Sequence, residues 1–416
     1  MTRSVSFLLL GLLALSAALA LPLVSDSRFL TLFLTQLAVM VTFAMSYNVL
    51  LGQTGLLSFG HAVYFGGGVF AALYLITAIG GGALALPLEF IPLGGALAGL
   101  AMAAVLGLVS VRRAGTTFAM ISLGMAELIT AAAMVFPSVF GGEQGVSTDR
   151  MVDVTLTGLG YGRPSEIYLL VLVWALVSVA LMVFLSRSPL GRMANAVRDN
   201  PQRVEFLGYD PYWIRFLQFC IAGTFAGLAG SLFALTFEIA NAEVFGLRTS
   251  ANVLIATYLG GITYVLGPVV GAFVVLLLEL NLARITDAWL FYYGLLFLAI
   301  ILFAPRGLTG ILAELPGALR RHGAAGCLRR ALVWGPAVLS GLVGGVMLVE
   351  LSYHLSNSFD PSDPLRLFWR DVDATNWGVW ALALGACALS AALVLRARRG
   401  GRRPEVVVTP LVEEGS

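Results

Sequence analysis

From Phe29 to Leu51 the chain runs without a charged residue, and the same holds for Ala62–Ile79, Ile91–Val111 and Tyr168–Leu185. A helix of about 20 apolar residues is what crosses roughly 30 Å of hydrocarbon. The further candidates are Val5–Val24, Thr117–Phe136, Phe216–Ala240, Trp289–Phe303, Ala331–Leu351 and Trp377–Leu395. Two shorter apolar pieces, Ala251–Val265 and Val269–Leu282, are parted by Leu266-Gly267-Pro268, and hydropathy does not separate tilted spans from a re-entrant pair. The expected fold is an all-α polytopic integral membrane protein with about 10–12 transmembrane helices. Composition agrees: with 59% hydrophobic and 12% charged residues, the chain has more apolar surface than one soluble core can hide.

The charges sit between the spans, and their sign sets an orientation. Arg3 precedes the first span, Arg112 and Arg113 follow the fourth, and further Arg lie in 186–215, in 306–330 and in 396–403. All of these fall on one side if both short pieces cross. The opposite loops, Pro137–Ile167 and Ser352–Asn376, are mixed in charge. The excess of arginine marks the cytoplasmic side, so both termini are expected there. Arg3 followed by an apolar run and Ala18-Leu19-Ala20 imitates a secretory signal, but the run is long and a second span follows at once, so 1–28 is read as a retained helix.

Several chemistries are excluded by what is missing. All 25 basic residues are Arg. Without Lys there is no P-loop to reach ATP phosphates and no Schiff base; the Gly-rich piece Gly158–Gly162 is a loop. Cys220, Cys327 and Cys387 are scattered, an odd number with no CxxC pair, and read as small buried hydrophobes. His61, His322 and His354 are assigned to different sides of the membrane, so no metal site is expected. A net charge of +2 gives no ground for a nucleic-acid partner.

The polar features that remain are local. Ser188-Pro189 and Asn200-Pro201 each look like a capped helix start with Pro in the first turn. The first short helix would align Leu190, Met193 and Val197, leaving Arg192, Arg198 and Asp199 exposed; the second would bury Val204 and Leu207 and stop at Gly208 in a left-handed turn. Two such helices form a knob that can insert into a groove on a soluble partner, or merely link two spans. Gly52, Gly55 and Gly60 interrupt an apolar run that also holds Gln53, Thr54, Ser58 and His61. Irregular backbone at membrane depth survives only inside protein or beside a watery cavity. Glu127 is central in its span, where an acid faces the bundle interior. Gly223-x-x-x-Gly227 and Gly267-x-x-x-Gly271 let helices approach closely.

The run Ser188 through Asn200, ending in Leu207-Gly208-Tyr209, resembles the coupling loop of branched-chain amino acid ABC permeases, in particular the LivM type. In order along the chain, Asn48–Ala62, Phe118-Ala119-Met120 with Leu123 and Glu127, Gly141-Gly142 with Gly145, Ala222–Leu235, Leu259-Gly260-Gly261 with Gly267–Gly271, and Phe303–Leu308 resemble the same family. The resemblance implies an ABC importer permease fold and a translocation subunit with no enzymatic step of its own. It implies a second permease of the LivH type, two ATPase subunits and an extracytoplasmic solute-binding protein, with ATP used by those partners and no cofactor held by this chain. Gln53, Ser58, Gly60, His61 and Glu127 would border the solute pathway, and Arg192, Arg198, Asp199 and Gly208 would couple to the ATPase. The wider ABC signature of Glu-Ala-Ala before a Gly is replaced here by Gln202-Arg203-Val204 ahead of Gly208.

The domain organisation read this way is an N-terminal helix (1–28), a permease domain (29–312) carrying the coupling loop 186–215, and an extension (313–416). The extension has a surface helix over Gly307–Arg330, two further spans and an Arg-rich tail, and no family role. Family solutes are leucine, isoleucine and valine, with urea or short amides as the alternative inside the family. A stand-alone ion-coupled transporter is the alternative outside it, and would need a relay of intramembrane acids or His.

Overall fold

Helices account for nearly all regular structure in the computed structural model, which describes residues 27–142, 144–284, 286, 288–357, 365–367, 370–373 and 375–400. The expected span Val5–Val24 and the tail beyond 400 lie outside the described residues. The helices are α1 Arg28–Thr54, α2 Ala62–Gly80, α3 Ile91–Ser110, α4 Thr116–Val135, α5 Pro164–Arg187, α6 Pro189–Asp199 and α7 Pro201–Phe206. They continue with α8 Pro211–Phe237, α9 Leu247–Gly260, α10 Gly267–Leu282, α11 Trp289–Phe303, α12 Gly307–Asn357 and α13 Trp377–Gly400. Among the described residues, 8 helices are long and apolar enough to cross a bilayer, or 9 if Trp289–Phe303 with Gly307–Glu314 counts as one broken span. Helix α12 covers both the expected surface helix and the expected span after it, and Gly335–Ser356 within it is one of the 8.

The chain divides into two compact units: the described residues up to Leu280 with Leu295–Ile311, and Asn281–Gly294 with the described residues from Leu312. In the second unit Leu351 and Ala383 pack as a small core, Tyr292 donates a hydrogen bond to Glu350 at 2.9 Å, and β3 Leu365–Leu367 pairs antiparallel with β4 Arg370–Val372.

The first unit is built around α8, the most buried of the candidate spans. Its glycines explain why. A Cβ on Gly227 would lie 2.7 Å from the Gly99 Cα and 2.9 Å from the Gly99 nitrogen. Backbone therefore meets backbone between α8 and α3, and Gly68 of α2 abuts the Gly227 carbonyl from another side. Between helices in lipid, where burying apolar surface gains nothing, this close packing is the main cohesive term. The Gly267-x-x-x-Gly271 pair behaves alike, packing α10 on α9 at Gly260 and Ala256.

Short loops close each end. At one end, Tyr212 at the start of α8 donates to the Leu108 carbonyl (3.3 Å), and Gly261 abuts the Arg306 carbonyl. At the other, β1 Val146–Ser147 pairs antiparallel with β2 Ile239–Ala240. Arg150 secures that strap. Its Nε donates to the Tyr161 carbonyl (2.9 Å), its Nη1 donates to the carbonyls of Leu235 (3.1 Å) and Thr236 (3.2 Å), and Nη1 lies 3.3 Å from Glu238 Oε2. Glu89 holds the next stretch, accepting from the backbone of Leu156 and Thr157 and from the hydroxyls of Thr157 and Tyr161, all at 2.9–3.1 Å.

Candidate functional site: a membrane-depth loop and an amphipathic knob

Helix α1 ends at Thr54, and α2 does not begin at the same level. His61, which precedes α2, places Nε2 3.0 Å from the Ser46 hydroxyl. Ser46 stands about 12 Å back along α1 from Thr54, at 1.5 Å per residue. The segment Gly55–His61 therefore climbs back into the bundle as non-helical chain. Its polar backbone is satisfied from the surrounding helices, as membrane depth demands. Tyr47 donates to the Ser58 carbonyl (2.8 Å), the Phe59 amide donates to Ser122 Oγ of α4 (3.1 Å), and the Ala62 amide donates to Ser250 Oγ of α9 (3.0 Å). Gly60 donates to Ser58 Oγ at 3.3 Å, with its Cα against the Ser122 carbonyl and Ala126.

Four of the five residues assigned to the solute pathway are buried along this stretch of chain. Gln53 accepts from Gln218 Nε2 of α8 at 3.3 Å, and Ser58, Gly60 and His61 follow in the climbing segment. His61 is fully enclosed, with Phe43 stacked on its ring and Tyr47 and Tyr64 edge-on. Its Nδ1, like the Asn48 Oδ1 one turn before Gly52, is buried without a hydrogen-bond partner. Such atoms are rare in native proteins. Glu127 is not part of the cluster. Helix α4 turns Ser122 and Ala126 toward Gly60, so Glu127, one residue on, is carried round to an exposed face shared with Met120, Gly124, Leu128 and Ala131.

The second element is the knob α6–α7. Ser188 Oγ accepts from the Gly191 amide (3.3 Å) and Asn200 Oδ1 from the Arg203 amide (3.0 Å), each followed by Pro at the first helical position. Ala194, Val197, Val204 and Ile214 form its core, with Met193 at the edge. The buried face is thus turned by one residue from the expected Leu190–Met193–Val197 line, because Gly191 seats against the carbonyls of Leu185 and Ser186. Gly208 does take the left-handed turn, at φ 86°. Leu207, expected inside, is 68% exposed and Phe206 is 91% exposed. Helix α7 is too short to bring a second side chain inward: it ends at Phe206 and the chain reverses, the Tyr209 amide bonding back to the Val204 carbonyl. Arg192, Arg198 and Asp199 are exposed, and Arg198 Nε pairs with Asp199 Oδ1 at 3.2 Å.

Two features were not read from the sequence. Arg198 Nη1 donates to the Gly52 carbonyl, joining the knob to the end of α1. The bonds of Arg150 and Glu89 at the other end were also missed, since long-range partners leave no local pattern. Among the described residues, no group of His, Cys, Asp and Glu could hold a metal ion.

A bundle of apolar spans, a non-helical segment braced at membrane depth and an amphipathic knob between spans together define a multi-span membrane transport subunit. The profile of the family described as branched-chain amino acid transport system / permease component matches residues 29–305, and the chain belongs to that family, as an ABC importer permease. It is similar to the high-affinity branched-chain amino acid transport system permease protein LivM of Salmonella typhimurium (27% identical, 66% of this chain and 68% of that protein). The LivM protein of Escherichia coli is 26% identical over 64% of this chain and 67% of its own length. A probable branched-chain amino acid transport permease protein LivH of Methanocaldococcus jannaschii is 24% identical over 65% of this chain and 89% of its own. No solved structure matches. Nothing in the comparisons supports an ion-coupled transporter.

Proposed function

We propose that this chain is the LivM-type permease of a bacterial inner-membrane importer for leucine, isoleucine, valine or related amino acids. One observation carries the reading: the family match over residues 29–305 contains both the membrane-depth segment and the knob. The partners are a LivH-type permease, two ATPases that bind and hydrolyse ATP, and an extracytoplasmic solute-binding protein, while this chain holds no cofactor. Both termini are cytoplasmic, which puts the knob on the ATPase side and the Arg150 strap outside.

In this reading the exposed Phe206 and Leu207 enter a groove on the ATPase, where a short apolar tip presented by a rigid knob can transmit a push. Arg192, Arg198, Asp199 and Gly208 shape that contact. Glu127 borders the pathway directly, because an acid on an otherwise apolar helix face is costly against lipid and is covered by water or protein. Gln53, Ser58, Gly60 and His61 form the supporting layer behind it. The test is uptake of labelled leucine by cells with and without the complex. Leucine uptake that depends on the complex is expected; dependence for urea alone would overturn the substrate assignment.

A further inference from the structure

A side chain of the knob bonds the end of α1, where the membrane-depth segment begins. Helix α1 carries no basic residue in its last turn. Its final carbonyls need donors: the Gly55 amide serves Leu51 (3.0 Å), and Arg198 Nη1, reaching over from α6, serves Gly52. A cation at a helix C-terminus complements the dipole, and a bond from an ionised donor is roughly twice as strong as a neutral one. On its exposed side the guanidinium also pairs with Asp199, Nε lying 3.2 Å from Oδ1. Its stem lies across Gly55, where a Cβ would come 2.9 Å from Arg198 Cγ. Immediately past Gly52 stands Gln53, bonded to Gln218 of α8, and then the climb to Ser58 and His61.

We infer that Arg198 is a positioning residue that carries displacement of the knob to the Gly52–His61 segment, through its bond to the Gly52 carbonyl. This rests on the reading of the knob as the ATPase-facing element. Because Ala194 and Val197 of α6 and Val204 of α7 pack in one core with Ile214 at the start of α8, the knob and that first turn of α8 move as a piece, and the bonded guanidinium takes the end of α1 with it. Asp199 sets the guanidinium's angle. A lysine keeps the charge on the carbonyl but as a point donor cannot hold both contacts in one plane.

The experiment uses the whole complex in proteoliposomes and measures leucine uptake and ATP hydrolysis in the same vesicles. For Arg198→Ala, uptake per ATP hydrolysed falls about tenfold, as expected for loss of one charge-assisted bond in the moving linkage; Arg198→Lys gives an intermediate ratio. An unchanged ratio in Arg198→Ala, whether both rates fall together or neither changes, overturns the inference. A second arm needs neither variant nor solute. In the wild-type complex, trapping ATP changes hydrogen exchange across residues 52–61 as well as across 188–208. A change confined to 188–208 also overturns it. Absent leucine uptake in the wild type counts against the substrate assignment and leaves this exchange arm to decide.

Discussion

Removing Arg150 should loosen one end of the molecule and leave the rest standing. Its side chain is 13% exposed and makes three bonds to carbonyls besides the pair with Glu238. Each bond to a charged donor contributes about 1.5–3 kcal/mol in isolation, but bonds that share one guanidinium do not add. Glu238 is 33% exposed, so water screens the ion pair and takes over part of what is lost. The net expectation for Arg150→Ala is about 2–4 kcal/mol, felt as local opening of the strap. That corresponds to an opening constant about 30-fold to 800-fold larger. Hydrogen exchange of peptides from 144–163 reads it directly, with α8 peptides near Gly227 as the unaffected control. Arg150→Lys should recover little, since one ammonium cannot serve three divergent carbonyls. A change of less than about threefold in 144–163 would refute the reasoning, because the strap would then owe its order to β1–β2 pairing and Glu89.

Gly227→Leu forces a side chain into the α3–α8 contact and should cost about 3 kcal/mol or more, seen as a lower unfolding temperature in detergent. Gly208→Val places a branched residue at φ 86°; it should cost roughly 1–3 kcal/mol and reduce solute-stimulated ATP hydrolysis while the protein still inserts. Single cysteines at Ser58 and Glu127, in a background lacking Cys220, Cys327 and Cys387, should differ. The Glu127 site reacts with a small polar thiol reagent, and its rate changes when ATP is trapped. The Ser58 site reacts slowly in every state, and rapid labelling there would put the climbing segment itself on the pathway.

The spans were legible because length without charge is nearly sufficient in lipid; α1 to α5 begin and end within a few residues of their apolar runs. Both cap-and-proline starts of the knob were legible for the same local reason, and so was the left-handed turn at Gly208. What the sequence withheld is the facing of short elements. Gly191 and Ala194 lie inward where Leu190 and Met193 were expected, a matter decided by the carbonyls that Gly191 meets. The Gly52–His61 segment was marked by its glycines, but its climb back to Ser46 needed the structure, since partners arrive from α1, α4 and α9 together. Glu127 was visible as an acid in a span, yet nothing local distinguishes pointing at Gly60 from pointing away.

The contact of α2, α3 and α8 has a consequence for how the protein can change shape. Side chains that interdigitate can ratchet past one another, trading one set of neighbours for the next. Where glycine backbones touch directly, as Gly99 and Gly227 do, there is no intermediate layer to slip on, and any relative shift drives main chain into main chain. Those three helices therefore travel as a single block. Whatever alternation of opening the transporter performs must be hinged at the block's borders. The breaks at 55–61, leading into α2, and at 111–115, leaving α3, are borders where chain without helix can bend.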